Sequence, residues 1–171
     1  MKERKYTIVQ LNKMSQGEFT DALGEIWEET PEIAERAWDN KPFKDLNALH
    51  RAMVAVVDSM SEAEQKALIQ AHPDLGSKAK MADASVREQA GAGLDRLSES
   101  EYQRFQSLNQ SYKDKFDFPF IIAVKNHTLE SILEAFETRL ENDRQQEKQQ
   151  ALTEIKQIAR LRLETFFMTK H

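Results

Sequence analysis

Apolar residues recur along most of this chain at intervals of three and four, the period of helices that each bury one face. Leu46, Leu49, Met53, Val57 and Met60 form one such stripe, with Asp45 placed to cap its start. Tyr102, Phe105, Leu108, Tyr112 and Phe116 form another, opened by Ser98 and Glu101 at capping-box spacing. The same spacing at Ser15 and Glu18 predicts a helix running toward Trp27, and Ser61 with Glu64 opens a later one. Thr30 and Pro31 read as the N-cap and first residue of a helix, and Pro42 marks a loop. The helix after Ser61 ends at His72, because Pro73 pushes the residue before it out of the α region, and HPDLG becomes a loop. DASVREQAGAGL contains another helix start, shortened or bent by Gly91 and Gly93. Two helices close the chain, one from about Thr128 to Arg144 and a longer one to about Thr169, with QQEKQQ a solvated surface.

One stretch breaks the period. FDFPFIIAV, residues 116 to 124, is aromatic and β-branched, is interrupted by Pro119, and has no second strand-like segment to pair with. It predicts a buried extended segment inside an otherwise all-α fold, a single helical domain over residues 1–171.

Charge and composition then remove whole classes. A formal net charge of -5 argues against a phosphate-backbone binder, so nucleic acid is not an expected partner. The absence of cysteine excludes disulfides, zinc ribbons, iron–sulfur clusters and thiol nucleophiles. The start, MKERKYTIVQLNKM, lacks the apolar core of a secretory signal, no window is apolar enough to span a bilayer, and MTKH is not a peroxisomal address. A soluble cytoplasmic protein is the expectation. No HExxH, Walker loop, GxGxxG, GxSxG elbow or EF-hand loop occurs, so neither a metal nor a dinucleotide cofactor is expected.

Four places could carry chemistry. Leu152, Ile155, Ala159, Arg162 and Phe166 follow one buried stripe, which puts a guanidinium where an aliphatic side chain is expected. It is either an internal ion pair or a fork for a ligand's carboxylate or similar oxyanion. His72, at a helix C-terminus before the stiff Pro73, is either a simple cap or a proton-transfer group whose charged form the helix dipole favours. Glu88 completes a capping box with Ser85, so its carboxylate has a structural use as well as a chemical one, and the adjacent Gln89 is a surface amide or a ligand donor. Finally, the buried backbone of FPFIIAV must satisfy its amides and carbonyls, and a ligand rich in ureido and ring amides could do so as well as side chains or water.

Taken in order, PFKDLNALHRAM (42–53), AHPDLG (71–76), SVREQAGAGL (85–94), FPFIIAVK (118–125) and EIKQIARLRL (154–163) resemble the 2-oxo-4-hydroxy-4-carboxy-5-ureidoimidazoline (OHCU) decarboxylases. The resemblance implies a helical fold peculiar to that family and the last step from urate to allantoin, without a cofactor. By position it implies His72 as the catalytic group with Glu88 as its acidic partner. It implies substrate binding by Pro73, Ser85, Gln89, the backbone of Phe120, Ile121, Ile122, Ala123 and Val124, and Arg162. It also implies a homodimer and functional association with urate oxidase and hydroxyisourate hydrolase. Two other readings compete: an all-α binding or regulatory module that docks through residues 116 to 124, and a cofactor-free lyase acting on another ureido acid. The module reading requires Phe118, Phe120 and Ile122 to be exposed.

Overall fold

A computed structural model describes residues 6–76 and 88–167, and it is all-α. The helices are α1 (Ile8–Asn12), α2 (Gln16–Leu23), α3 (Glu32–Ala37), α4 (Leu46–Ser59), α5 (Glu62–Gln70), α6 (Glu99–Phe116), α7 (Leu129–Leu140) and α8 (Arg144–Phe166). Short 3-10 turns cover Trp38–Asn40 and Val124–Asn126, and residues 88–91 are helical. Among the described residues the one β-type pairing is a parallel bridge between Tyr6 and Phe167. No helix among them is long and apolar enough to cross a membrane.

The chain falls into two compact units. The first comprises the described residues up to Gln65 and those from Lys156 onward; the second is Lys66–Ile155. In the first, Leu11, Phe19, Leu23, Trp27, Ile33, Leu49, Met53, Val57, Ala159 and Leu163 are buried. The Phe19 and Phe43 rings stack at 5.8 Å, and Asn12 makes two hydrogen bonds with the Phe43 backbone, at 2.9 and 2.7 Å. In the second unit the core is aromatic. Phe120 stacks on Phe136 at 3.8 Å, and the Tyr112 ring lies between 4.5 and 6.4 Å from Phe116, Phe118, Phe120 and Phe136.

Side-chain caps explain most helix starts. Ser15 with Glu18, Ser61 with Glu64, and Ser98 with Glu101 each close a capping box, and Asp45 accepts from the Ala48 amide. A box of Thr7 with Gln10 opens α1, a helix the apolar period does not announce.

Several boundaries differ from the sequence reading. α2 stops at Leu23, and Ile26, Trp27 and Glu28 are buried in irregular chain. Thr30 does not cap α3, because its hydroxyl donates to the Glu28 carbonyl at 2.7 Å. The predicted helix to Arg144 ends at Leu140, because Asp143 and Gln146 form a further box that opens α8. Nor is QQEKQQ uniformly solvated: Glu147 is fully buried, for reasons given below.

Candidate active site

The second unit holds most of the residues singled out by sequence. α5 ends at Gln70, with Ala71 N–H still bonded to Ala67 O at 2.9 Å and His72 N–H to Ile69 O at 3.2 Å. His72 is therefore delivered just past the C-terminal end of α5, and it is 8% exposed. Its Nδ1 lies 2.9 Å from the Leu68 carbonyl. A carbonyl only accepts, so Nδ1 carries a proton and Nε2 is the basic nitrogen.

The loop after His72 is held at three points. Asn109 Nδ2 donates to Leu75 O at 2.9 Å, Gly76 N–H donates to Gln89 Oε1 at 3.0 Å, and Lys113 Nζ pairs with Asp74 at 2.7 Å. Gly76 has φ of +69°, and a Cβ there would come within 2.9 Å of Leu97, so this turn admits glycine alone without strain. Beside it lies a cavity of about 270 Å³ lined by Gln70, His72, Asp74, Lys113, Asp117 and Phe118, among others.

Glu88 lines a second cavity, of about 180 Å³, with Gly91, Ala92, Val124, Lys125 and His127. A Cβ added at Gly91 would meet no atom within 4 Å. Gln89, next to Glu88, is 8% exposed and ties the helical residues 88–91 to the loop that follows His72. It is therefore not a surface amide. Ser85, the proposed partner in a capping box with Glu88, lies outside the described residues.

The run from Phe118 to Val124 is buried throughout, with Phe118 5%, Phe120 0% and Ile122 5% exposed. It offers no apolar patch for docking, so the binding-module reading loses its required feature. Arg139, 7% exposed on α7, donates from Nη1 to Ile121 O at 2.6 Å and from Nε to Glu147 at 2.8 Å. Tyr112 and Asn142 also donate to Glu147, at 2.5 and 2.8 Å. Burial, then the bond to Glu147, pushes the Tyr112 phenol well above its ordinary value. Ala123 uses both backbone groups, its N–H on Glu154 at 2.9 Å and its carbonyl as acceptor from Asn126 N–H at 3.0 Å.

Arg162 belongs to the first unit and is 3% exposed. Its Nη2 lies 3.1 Å from Glu28 Oε1, and Nη1 lies 3.0 Å from Glu25 O and 3.5 Å from Ile26 O. The buried ion pair that sequence held open for this arginine is therefore present. Among the described residues the other two histidines have partners: His50 Nε2 sits 2.9 Å from Lys156 O, and His127 Nδ1 sits 3.0 Å from Ser131 Oγ.

Sequence reasoning passed over Asn109, Lys113, Arg139, Glu147 and Glu154. One was detectable: Ile132, Phe136 and Arg139 follow a buried stripe of the same kind as the one that drew notice to Arg162.

Comparison with known proteins fits this arrangement to a family. The family model described as OHCU decarboxylase matches residues 12–164. A protein of Halalkalicoccus jeotgali named 2-oxo-4-hydroxy-4-carboxy-5-ureidoimidazoline decarboxylase is 46% identical, over 92% of this chain and 90% of its own. The uric acid degradation bifunctional protein of Bacillus subtilis is 48% identical over 92% of this chain, which spans 32% of that protein. Among solved structures, an (S)-allantoin synthase superposes with a TM-score of 0.77 at 30% identity, covering 95% of this chain and 54% of that one. An OHCU decarboxylase solved in the presence of (S)-allantoin gives 0.69 at 25% identity, covering 90% and 99%. By its matched span, its relatives and its fold, the chain belongs to the OHCU decarboxylase family.

Proposed function

We propose that this protein decarboxylates 2-oxo-4-hydroxy-4-carboxy-5-ureidoimidazoline to (S)-allantoin in urate breakdown. Its relatives carry names for that activity, and the observation in this chain that supports it best is His72. The side chain is buried beside a cavity, and its Nδ1 is held by the Leu68 carbonyl so that Nε2 is the nitrogen able to exchange a proton.

The substrate supplies its own electron sink. As carbon dioxide leaves, the electron pair of the broken bond forms a double bond to the adjacent ring carbon, and the C=N pair moves onto nitrogen, which takes up a proton. The hydroxyl then gives up its proton to become a carbonyl while the ureido-bearing carbon gains one on a single face. One proton in sum replaces carbon dioxide. His72, assisted by Glu88, takes the hydroxyl proton and returns one to carbon. Pro73, Ser85, Gln89 and the backbone of Phe120 to Val124 bind the substrate. Arg162 is assigned to an anionic group of the substrate by resemblance, and its buried, permanently charged fork suits that task.

The same reading makes residues 1–171 one functional domain, cytoplasmic and homodimeric, working beside the enzymes that deliver its unstable substrate. Support for the last point is the Bacillus subtilis relative, named as bifunctional in uric acid degradation. Light scattering tests the dimer.

The deciding assay generates the substrate in place from urate with urate oxidase and hydroxyisourate hydrolase, adds this protein, and follows circular dichroism. Rapid appearance of (S)-allantoin, abolished by His72→Ala, is expected. Slow racemic decay unaffected by the wild-type chain sinks the reading. Turnover intact in His72→Ala with weakened binding removes the role of His72 alone. For Glu88, a Gln variant with lost turnover and unchanged melting temperature indicates chemistry; a lowered melting temperature alone indicates a cap.

A further inference from the structure

Buried backbone needs a partner for every amide and carbonyl, and Phe118 to Val124 is buried with no strand beside it among the described residues. Two of its polar groups are gripped by side chains, and both grips lead to α8. The Ile121 carbonyl is held by Arg139, whose Nε is fixed by Glu147. The Ala123 amide is held by Glu154, whose second oxygen accepts from Gln150 Nε2 at 3.0 Å. Glu147 and Glu154 are two heptad-spaced positions on one face of a single helix.

The held groups belong to residues 121 and 123, and the residue between them is Ile122. Among the described residues neither the amide nor the carbonyl of Ile122 makes a hydrogen bond, although the residue is 5% exposed. A backbone amide and carbonyl are the complement of a ureido group, which carries both a carbonyl and N–H donors. Arg139 also leaves Nη2 buried without a partner among the described residues.

We propose that Arg139, Glu147 and Glu154 are positioning residues: they brace the buried segment at Ile121 and Ala123 and so present the Ile122 amide and carbonyl to the ureido arm of the substrate. This rests on the function proposed above. None of the three takes part in proton transfer; they act through the backbone they hold. Removing a brace therefore weakens substrate binding and leaves the chemical step.

Glu154 is the best place to test it, because it is half-buried and its loss opens no buried charge. Steady-state kinetics in the coupled assay are expected to show KM raised about tenfold or more in Glu154→Ala, the size of one hydrogen bond to a charged group. The turnover number stays within about threefold of wild type, and Glu154→Gln, whose amide oxygen still accepts, recovers most of the affinity. Arg139→Lys keeps the charge, cannot hold Ile121 and Glu147 from two fixed donors at once, and raises KM in the same way. Amide hydrogen exchange at Ala123 is faster in Glu154→Ala. KM within about twofold of wild type in both Glu154→Ala and Arg139→Lys overturns the brace, as does a fall in turnover with KM unchanged. An inert wild-type chain overturns the functional reading and the brace with it, whereas an active wild type with unaffected variants overturns the brace alone.

Discussion

Among the described residues each unit buries one arginine against one glutamate, and the two pairs are built differently. Arg162 and Glu28 are far apart in sequence, and the guanidinium also reaches the carbonyls of Glu25 and Ile26 in a segment with no regular structure. Arg139 and Glu147 are separated by one turn between helices, and their carboxylate is further held by Tyr112 and Asn142. The first pair ties a distant loop to a helix. The second is a local knot with one donor reaching outward, to Ile121. A buried ion pair thus has no fixed meaning: what else its donors and acceptors touch decides whether it fastens the fold or aims a piece of backbone.

The largest expected effects come from leaving a charge alone in each pair. Glu147→Ala and Glu28→Ala should each cost about 3–5 kcal/mol in urea unfolding, with Glu147→Ala the worse because three donors lose their acceptor. A greater loss in Glu28→Ala would reverse the ranking drawn here. Replacing whole pairs sharpens the contrast. Arg139→Met with Glu147→Leu, and Arg162→Met with Glu28→Leu, should each return to within about 1–2 kcal/mol of wild type. The first double variant should turn over with raised KM, while the second should be inactive if the guanidinium removed is the one proposed to hold the substrate. Equal activity in the two would deny them separate roles.

Removing only the phenol hydroxyl is gentler. Tyr112→Phe should cost about 1–3 kcal/mol, the penalty for an unfilled buried acceptor. Because the folded phenol resists ionisation, wild-type stability holds below the ordinary phenol pKa of 10.0 and falls as pH rises past it; Tyr112→Phe should flatten that alkaline limb. The smallest effect is in the first unit. Burial, opposed by the bond to the Lys156 carbonyl and reinforced by the charge of Arg160, holds the His50 imidazole below its ordinary 6.5. The unfolded chain then takes up the proton more readily, so stability falls as pH drops through 6.5, and His50→Gln should flatten the acid limb. Both tryptophans, Trp27 and Trp38, lie in that unit, so their fluorescence reads it selectively.

How far the sequence carried depended on how local each cause was. Capping boxes and apolar stripes act within a turn or two, and they located most helix starts, the buried Arg162 and the buried run that breaks the helical period. Thr30 failed as a cap because its hydroxyl found the Glu28 carbonyl, an alternative that spacing does not reveal. Glu147 was hidden among glutamines and a lysine that really are on the surface, since its burial is set by Tyr112, 35 residues earlier. The anchoring of the loop after His72 by Asn109 and Gln89 is of the same kind, made by partners 34 and 13 residues away from the groups they hold.

Gly91 opens a practical route into the site. It borders the cavity that Glu88 lines, a Cβ there would meet nothing within 4 Å, and the chain has no cysteine of its own. Gly91→Cys would be the sole thiol in the molecule. A spin label or small fluorophore attached to it would sit at the mouth of that cavity and report occupancy in real time, without the need to follow an unstable substrate by its own absorbance.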